Sequence, residues 1–486
     1  QRPRARRNRP ASAADPVLSC ALLPGSVMET LEALSLTFVN AVWSTPLVLL
    51  LLGGGLFFAI YSRGLPYRHL GHAVGIMLGR YDQPDEQGEL SHGQALAAAL
   101  SGTMGLGNIS GVALAISAGG PGAVFWMWVS ATVGIATKFF TCSLGVMYRG
   151  RDDLGRLQGG PMYIIREALP RRYYPLAILF SIAGLIGTLP IFQANQLTAL
   201  VRQNFLPVDA APGYFNLVVG CTIAALVAAV IFGGLRRVAA VAVALLPTMV
   251  VIYLAMTLLV LALHAGEVPG LLASIVREAF QPSAVGGGLL GVILIGISRG
   301  AFSNEAGVGT EVMAHGAAKT NEPVREGLVA MLGPVADTLV VCTCTALVVL
   351  LAGDWQGSEG LSGITLTAGA FRNELGIPGA VLLGVVTLIL STTTMFTCWY
   401  YGAKCFGFLF GAHIQHHFRW FYVVAVVFGA AVSIDVVFNI ISGCYGLMAI
   451  PTMIVSLRLA PRVRAAATEY FRRHPYGAAG APSPRR

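Results

Sequence analysis

Charged residues are scarce in this sequence, and their scarcity excludes most classes of protein. Of the 486 residues, 11% are charged and 55% are hydrophobic, and the mean hydropathy is +0.70. Ordinary soluble domains carry roughly 25% charged residues, and a soluble chain of this length would form about three of them. A soluble enzyme, a nucleic-acid-binding protein and a disordered protein are therefore excluded, and no nucleic acid is expected as a partner.

Patterns typical of metal binding or catalysis are also missing. The 8 cysteines form no C-x-x-C pair and lie mostly in apolar segments, so neither a disulfide framework nor a zinc site is predicted. His413, His416 and His417 have helical metal-ligand spacing, but they lie at a helix end beside Arg419, and we predict no metal site there. No Ser/His/Asp set or paired carboxylates with catalytic spacing occur. We predict no enzyme and no enzymatic cofactor.

Apolar runs of membrane-spanning length recur along most of the chain. A helix needs about 20 residues to cross the hydrocarbon, and a lipid-exposed backbone must satisfy its own hydrogen bonds. The predicted fold is therefore an all-α polytopic membrane protein with about eleven transmembrane helices. Arginines are concentrated in every other connection, which places those connections and the C-terminus in the cytoplasm and the N-terminus outside. We expect a multi-pass protein of the plasma (inner) membrane, with the lipid bilayer as a partner.

The first residues differ from the rest of the chain. Residues 2–9 contain five arginines, without the apolar core of a signal peptide. Met28 stands directly before the first apolar run. We predict that the native chain starts at Met28, and that residues 1–42 are an N-terminal segment that is non-native or disordered before Met28.

Glycines interrupt the second apolar run. The segment Ser101–Gly111 contains four glycines and Asn108. Because glycine in a helix interior costs about 1 kcal/mol relative to alanine, this composition predicts an unwound turn at membrane depth. Such a turn is tolerated only where the backbone lines a cavity or binds a ligand. A close helix-packing face at Gly107-x-x-x-Gly111 is the alternative interpretation.

The seventh apolar run is interrupted in a similar way. The segment Ile297–Gly309 places Arg299, Asn304 and Glu305 between two apolar halves. Ionisable residues at that depth are costly and usually face a pathway. The pattern predicts a second broken helix, and a re-entrant or extramembrane loop is the alternative.

The two interruptions occupy matching places in the chain. Each falls in the first helix of a five-helix set, and because five is odd, the sets cross the membrane in opposite senses. Paired interruptions of this kind indicate the binding site of a transporter. Half-helix N-termini can bind a carboxylate, and exposed carbonyls can bind a cation. The chain divides into an extra helix (43–62), two five-helix repeats (94–265 and 284–458) and a basic cytoplasmic tail (459–486).

Other polar residues lie within apolar runs. The hydroxyls of Ser391–Thr394 are suitable ligands for Na⁺, with hydrogen bonds to their own helix as the alternative. Gln193 can bond a polar substrate or a neighbouring helix. Lys138 and Arg299 are expected to pair with buried carboxylates rather than to bind substrate.

Several long motifs occur in order between Trp43 and Leu457. They are Gly102–Ala113, Gly119–Trp128, Thr137–Phe139, Gln158–Tyr163, Arg299–Gly307, Asp337–Thr338 and Tyr400–Gly402. In these motifs the chain closely resembles the alanine/glycine:cation symporter family. The resemblance implies a leucine-transporter-like fold, with one extra helix followed by a five-plus-five inverted repeat. It also implies sodium-coupled uptake of small neutral amino acids, chiefly alanine and glycine.

The resemblance also implies roles for individual residues. The amides of Gly105, Leu106 and Gly107 are expected to bind the carboxylate of the amino acid. The expected lining of the substrate cavity is Asn108, Gln193, Phe302, Ser303 and Asn304. The Na⁺ site is expected to use the carbonyls of Ser101 and Met104 and the hydroxyls of Thr393 and Thr394.

The chain also departs from the pattern that the resemblance implies. The family usually has glutamates at the positions of Thr141 and Ala403, and small uncharged residues near Glu311. Three carboxylates, of Glu305, Glu311 and Asp337, are candidates for coupling to an ion or a proton. We hypothesise that Glu311 makes the coupling sensitive to protons.

Three other functions stay open. A transporter of the same fold could use H⁺ or carry another zwitterion, and uptake without Na⁺ would separate it from a sodium symporter. An amino-acid sensor that does not translocate its ligand is less favoured, and a membrane enzyme is least favoured because no catalytic set is present. Oligomeric state, stoichiometry and stereochemical preference are left open.

Overall fold

The computed structural model describes residues 25–83, 85–205, 214–281, 288–353, 355, 363–431 and 435–474. The segment before Met28 thus lies almost entirely outside the described residues, and so does the end of the predicted tail. In the first part of the chain the helices are α1 (Gly25–Val42), α2 (Thr45–Tyr61), α3 (Leu65–Arg68), α4 (Leu70–Met77), α5 (His92–Thr103), α6 (Val112–Gly119), α7 (Gly122–Met147), α8 (Pro161–Ala168), α9 (Tyr174–Gly187), α10 (Ile191–Phe205), α11 (Phe215–Ile231) and α12 (Gly234–Leu263).

The second part continues with α13 (Val268–Glu278), α14 (Gly288–Asn304), α15 (Thr310–His315), α16 (Pro323–Ala330), α17 (Leu332–Pro334), α18 (Thr343–Ala352), α19 (Ile364–Phe410), α20 (Phe418–Ala431) and α21 (Asp435–Arg473). Two π-helical turns (Gly107–Gly111 and Val335–Cys342) and two 3₁₀ turns (Arg171–Tyr173 and Gln415–His417) join these helices. The strands β1 (Gly150–Arg151) and β2 (Leu157–Gln158) form an antiparallel hairpin.

Helices of membrane-spanning length and apolar composition dominate the described residues. Seven of these helices are long enough and apolar enough to cross a membrane. Helix α5 together with Gly107–Gly119 forms an eighth candidate span, which is bent by 53°. The apolar helices α11 and α14 are shorter than this criterion requires. The sequence prediction of an all-α multi-pass protein is confirmed, whereas the count of about eleven spans and the inverted repeat stay predictions.

The outer surface of the bundle is apolar. Ile60, Leu290 and Ile377 are 68%, 70% and 71% exposed, and they belong to a large set of exposed aliphatic and aromatic side chains. Soluble proteins rarely expose continuous apolar surface of this kind. This apolar surface fits contact with lipid. Helices tolerate lipid because their backbone groups are hydrogen-bonded internally.

The structure differs from the predicted boundaries at both ends. The sequence did not predict α1, which packs along α21: a Cβ on Gly443 would lie 2.4 Å from Phe38, and one on Gly446 would lie 2.8 Å from Val42. At the other end, α21 continues to Arg473, well beyond the predicted limit at 458.

Helix α7 forms the centre of the bundle and packs against α2, α14 and α16. Glycines permit the close approach of α14. A Cβ on Gly296 would lie 2.4 Å from the Ala123 carbonyl oxygen, and one on Gly300 would lie 2.9 Å from the Cβ of Ser130. Small residues at helix interfaces allow such backbone contact within membranes. This packing holds the first half of the second broken helix against a rigid span.

Candidate functional site

The first predicted break is present between α5 and α6. The helix ends at Thr103, and Met104 leaves the helical region with φ −71° and ψ 85°. The amide of Gly105 then donates to the side-chain oxygen of Asn108 at 3.1 Å. A Cβ on Gly105 would lie 2.6 Å from Oγ1 of Thr394, so glycine is required where the broken turn meets α19.

The second predicted break separates α14 from α15. Glu305, Gly307 and Gly309 all have positive φ values, of 56°, 86° and 99°. Positive φ is uncommon for residues other than glycine, and a residue held there stores strain of order 1–3 kcal/mol. The Thr310 hydroxyl donates to the Glu305 carboxylate, which fastens this turn to the first residue of α15.

Asp337 joins the two breaks. Its carboxylate accepts hydrogen bonds from Nδ2 of Asn108 at 2.6 Å, from the Ser303 hydroxyl at 2.8 Å and from the Thr338 hydroxyl at 2.8 Å. Asn108 belongs to the first break and Ser303 to the last turn of α14. All four side chains are buried. Asp337 is therefore satisfied by hydrogen bonds in this conformation, and it holds both broken helices in register.

A buried cavity of about 40 Å³ lies between the breaks. Among the predicted substrate residues, Gly105, Leu106, Gly107, Gln193 and Phe302 line it. Cavity-lining residues that the sequence reasoning missed are Gly102, Thr103, Gly187, Phe192, Cys398, Phe438, Ile441 and Tyr445.

Three predicted substrate residues do not line this cavity. Asn108 and Ser303 turn toward Asp337 instead. Asn304 bonds the amide of Ala306 through its side-chain oxygen, and its Nδ2 is buried without a partner in the described chain. These three residues therefore shape the breaks around the cavity in this conformation.

The predicted Na⁺ residues lie where α5 meets α19. The Thr394 hydroxyl donates to the Ser101 carbonyl at 3.0 Å, so these two predicted ligands are adjacent. The Thr393 hydroxyl donates to the Ile389 carbonyl of its own helix at 2.8 Å. Thr397, which the sequence reasoning missed, shares a 2.6 Å hydrogen bond with the Ser101 hydroxyl. Its spacing of three residues from Thr394 on one helix face was the available signal.

A second cluster of polar side chains surrounds the start of α15. The hydroxyls of Thr310 and Thr141 both lie 3.4 Å from carboxylate oxygens of Glu311. Lys138 is also buried. Among the described residues it forms no ion pair with a carboxylate, so the expected pairing of Lys138 stays a prediction. The side chain of Asp435, the other intramembrane aspartate in this half, lies outside the described residues.

Two larger vestibules flank the central cavity. A basic vestibule of about 410 Å³ is lined by Arg156, Gln158, Lys404, His413 and Arg419, among others. A second vestibule of about 290 Å³ is lined by residues of α1, α14 and α21. Phe302 and Phe438 line both this second vestibule and the central cavity, so aromatic side chains separate the two.

The half-helices on the side of the basic vestibule are fastened together. Glu326 accepts hydrogen bonds from Nδ1 of His92, at the start of α5, and from Nδ1 of His315, at the end of α15. All three side chains are buried. Arg149 adds hydrogen bonds to carbonyls of the segment after α15, including that of Gly316 at 2.8 Å. The two inner half-helices therefore form one unit in this conformation.

The ionic contacts outside the spans are local. Asp153 accepts hydrogen bonds from the Ala412 amide and from His413, and these bonds lower the pKa of Asp153. Hydrogen bonds to Glu267 and Glu374 raise the pKa of His264. Among the described residues, no group of three or more His, Cys, Asp or Glu side chains is arranged to hold a metal ion.

Two broken helices that meet at a buried cavity, with vestibules on opposite sides, are the architecture of a secondary transporter. The sequence model of the sodium:alanine symporter family matches residues 28–481, and the chain belongs to this family. The protein is accordingly a transporter, not an enzyme.

Similar proteins agree with this assignment. The sodium/alanine symporter AgcS of Methanococcus maripaludis is 37% identical over 87% of this chain and 94% of its own. The amino-acid carrier protein AlsT of Bacillus subtilis is 33% identical over 86% of this chain and 89% of its own. The crystal structure of MhsT in complex with L-phenylalanine is similar with a TM-score of 0.57 and 14% identity, over 79% of this chain and 99% of MhsT. That similarity shows the fold, which is leucine-transporter-like.

Proposed function

We propose that this protein carries small neutral amino acids, chiefly alanine and glycine, into the cell together with Na⁺. The observation that carries the proposal is the cavity of about 40 Å³ between the two breaks. A cavity of about 40 Å³ is little larger than the roughly 30 Å³ that one water molecule occupies in the liquid. It therefore favours an amino acid with a very small side chain over a bulky one.

The substrate and the cation would occupy neighbouring places. The amides of Gly105, Leu106 and Gly107 would bind the carboxylate, since N–H groups at a half-helix N-terminus favour negative charge. The Gly105 amide would exchange its hydrogen bond to Asn108 for one to the substrate. The side-chain oxygen of Gln193 has no partner in the described chain and lies beside the cavity. It can accept a hydrogen bond from the substrate ammonium.

The proposed Na⁺ site follows from the contact between α5 and α19. The carbonyls of Ser101 and Met104 and the hydroxyls of Thr393 and Thr394 supply the hard oxygen ligands that such a cation prefers. The Thr394 hydroxyl already lies at the Ser101 carbonyl. A bound cation would replace that hydrogen bond and offset the substrate's carboxylate charge.

Alternating access supplies the transport step. The arginine-rich connections favour an orientation in the inner membrane with the basic vestibule facing the cytoplasm and the second vestibule facing outward. Binding of both ligands would stabilise an occluded state, after which the inner half-helices α5 and α15 separate from α19. The order of elements fits two inverted sets of five spans, each beginning with a broken helix.

Uptake into proteoliposomes tests the proposal. Labelled alanine is supplied with an inward Na⁺ gradient, with equal choline, or with an inward proton gradient. We expect accumulation only with Na⁺. Equal uptake with choline would contradict sodium coupling, and no uptake of alanine or glycine under any gradient would contradict the substrate class.

Proton coupling is the second candidate because buried carboxylates surround the second break. Glu305 and Glu311 share the Thr310 hydroxyl, and Glu311 also lies beside Thr141. If Glu311 carries the proton, the Glu311→Gln variant should lose the pH dependence of uptake. An unchanged pH profile would contradict this candidate.

A further inference from the structure

Arg299 is a half-buried cation without a carboxylate partner among the described residues. It lies in α14, one turn before Phe302, in the first half of the second broken helix. No carboxylate of the described residues forms an ion pair with its guanidinium. The sequence expectation that Arg299 pairs with a buried carboxylate is therefore not met in the described chain.

The guanidinium lines the second vestibule, here called the arginine vestibule. It has a volume of about 290 Å³. Its polar lining consists of Arg299, Ser298, Asn40, Asn439 and Ser442. Among the residues that the structure describes, the lining side chains are neutral except for Arg299. A charged side chain within a membrane protein usually faces a bundle interior or a water-filled cavity and marks a pathway.

Helix α1 builds one wall of the arginine vestibule. Trp43, after the end of α1, donates from its indole nitrogen to the Ser442 carbonyl at 2.9 Å. Asn439 donates to the Ser35 hydroxyl at 3.2 Å. These contacts tie α1 to α21, so the space beside Arg299 is enclosed on three sides by α1, α14 and α21.

The arginine vestibule adjoins the central cavity, from which aromatic side chains separate it. Phe302 and Phe438 line both spaces. Phe302 packs on Tyr445 with ring centroids 5.3 Å apart, and Phe438 packs on Phe192 at 4.9 Å. A ligand that moves past these rings passes from Arg299 to the first break at Gly105–Gly107.

We propose that the arginine vestibule is a first docking site, at which Arg299 binds the carboxylate of an amino acid before it reaches the central cavity. Arginine presents a planar fork of N–H donors that matches a carboxylate. A lone cation in a neutral vestibule also attracts carboxylate ligands and raises their local concentration. The proposal rests on the proposed function, because it assumes that an amino acid is the cargo.

Chemical modification tests docking without requiring transport. Wild-type protein in proteoliposomes is treated with phenylglyoxal, and the rates of modification at Arg299 and Arg277 are measured by peptide mass spectrometry. Arg277 is an exposed arginine at the end of α13 and serves as the internal control. Alanine and propionate, which both carry a carboxylate, should slow modification of Arg299 at least fivefold. Alaninamide, which carries the ammonium group but no carboxylate, should not slow the modification of Arg299. Arg277 should react at the same rate in every sample.

Two other results of the modification experiment would contradict the proposed docking site. Protection by chloride but not by propionate or alanine would replace the proposal with a site for inorganic anions. Equal rates at Arg299 with and without propionate would overturn it. Because these rates do not depend on transport, a wild-type protein that fails to accumulate alanine would contradict the proposed function and leave this measurement intact.

Kinetics separate docking from a structural role. In Arg299→Gln we expect kcat/KM for alanine uptake to fall about tenfold, as expected when one charge-assisted hydrogen bond is lost, whereas kcat is kept. The kcat/KM of Arg299→Lys should lie between those of this variant and wild type, because lysine keeps the charge but lacks the planar fork of N–H donors. A fall in kcat with unchanged KM in both variants would indicate a structural role and overturn the proposal.

Discussion

At the scale of single residues, the contact between Gly105 and Thr394 is the most exacting feature of the site. A Cβ on Gly105 would lie 2.6 Å from the Thr394 hydroxyl, whereas one on Gly111, in the π-helical turn that follows, would meet no atom within 4 Å. We expect Gly105→Ala to abolish alanine uptake and Gly111→Ala to keep most of it. Labelled uptake at equal protein density measures both variants. Full activity of Gly105→Ala would show that the first break does not pack on α19 as described.

The hydroxyl of Thr394 allows a second prediction at this scale. Thr394→Val removes an oxygen that lies at the Ser101 carbonyl, and we expect the Na⁺ concentration for half-maximal uptake to rise about tenfold. Thr392→Val is the matched control, because the Thr392 hydroxyl bonds the Leu388 carbonyl of its own helix at 2.7 Å. Equal effects of the two substitutions on the Na⁺ dependence would argue against a cation site at this contact.

How far the sequence determines the site differs from residue to residue. Glycine and asparagine in Ser101–Gly111 predict a break, because both residues weaken the interior of a helix. The sequence could not predict that Asn108 faces Asp337, since that hydrogen bond joins residues 229 positions apart. Cys398 and Tyr445 were missed because the sequence does not indicate which cavity such a residue inside a span lines.

At the scale of helices, the sequence predicts breaks better than ends. Both interruptions lie where composition places them, but α1 was missed because its residues precede the expected start of the bundle. The long helix α19 shows that a kink can also carry a sequence signal. Gly376 interrupts it with φ 67° and ψ −154°, just after the polar residues Arg372–Glu374 and just before Pro378. Glycine and proline this close together favour a break.

The contact between α4 and α21 gives a prediction about pH at the same scale. His72 shares a 2.8 Å hydrogen bond with the Tyr470 hydroxyl. Burial, together with the positive charges of His69, His474 and Arg325, lowers the pKa of His72 from 6.5 to about 4. The unfolded chain therefore binds the proton more readily than the folded one, so stability is full above about pH 6.5 and is lost as the pH falls toward 4.

Thermal unfolding of the purified protein in detergent checks this sign. We expect Tm to fall between pH 6.5 and 4 in wild type, and to fall less steeply in His72→Asn. Asparagine retains a hydrogen-bonding group but does not titrate. The difference between the two profiles isolates His72 from other groups that titrate in this range. Parallel profiles would show that protonation of His72 does not affect the α4–α21 contact.

At the scale of the whole molecule, the arrangement of the two ligand sites predicts how binding is coupled. The proposed carboxylate amides begin at Gly105, and the proposed cation carbonyls are those of Ser101, in the last turn of α5, and Met104, so one short stretch of chain, Ser101–Gly107, serves both ligands. Whichever ligand binds first orders this stretch and supplies the opposite charge for the other. Coupling free energies of this kind are typically about 1–3 kcal/mol, or roughly 5- to 150-fold in affinity, and linkage makes them reciprocal.

We therefore expect saturating Na⁺ to lower the Kd for alanine by at least fivefold, and saturating alanine to lower the Kd for Na⁺ by the same factor. Titration calorimetry on the purified protein, with choline replacing Na⁺, measures both. In Thr394→Val the factor should approach one, because the cation loses a ligand at the shared stretch while the amides of Gly105–Gly107 are unchanged. An alanine Kd that does not depend on Na⁺ in wild type would separate the two sites and contradict a coupling centred on the first break. If Thr394→Val keeps the effect of Na⁺ on the alanine Kd, the cation binds elsewhere, and the carboxylates around α15 are the next candidates.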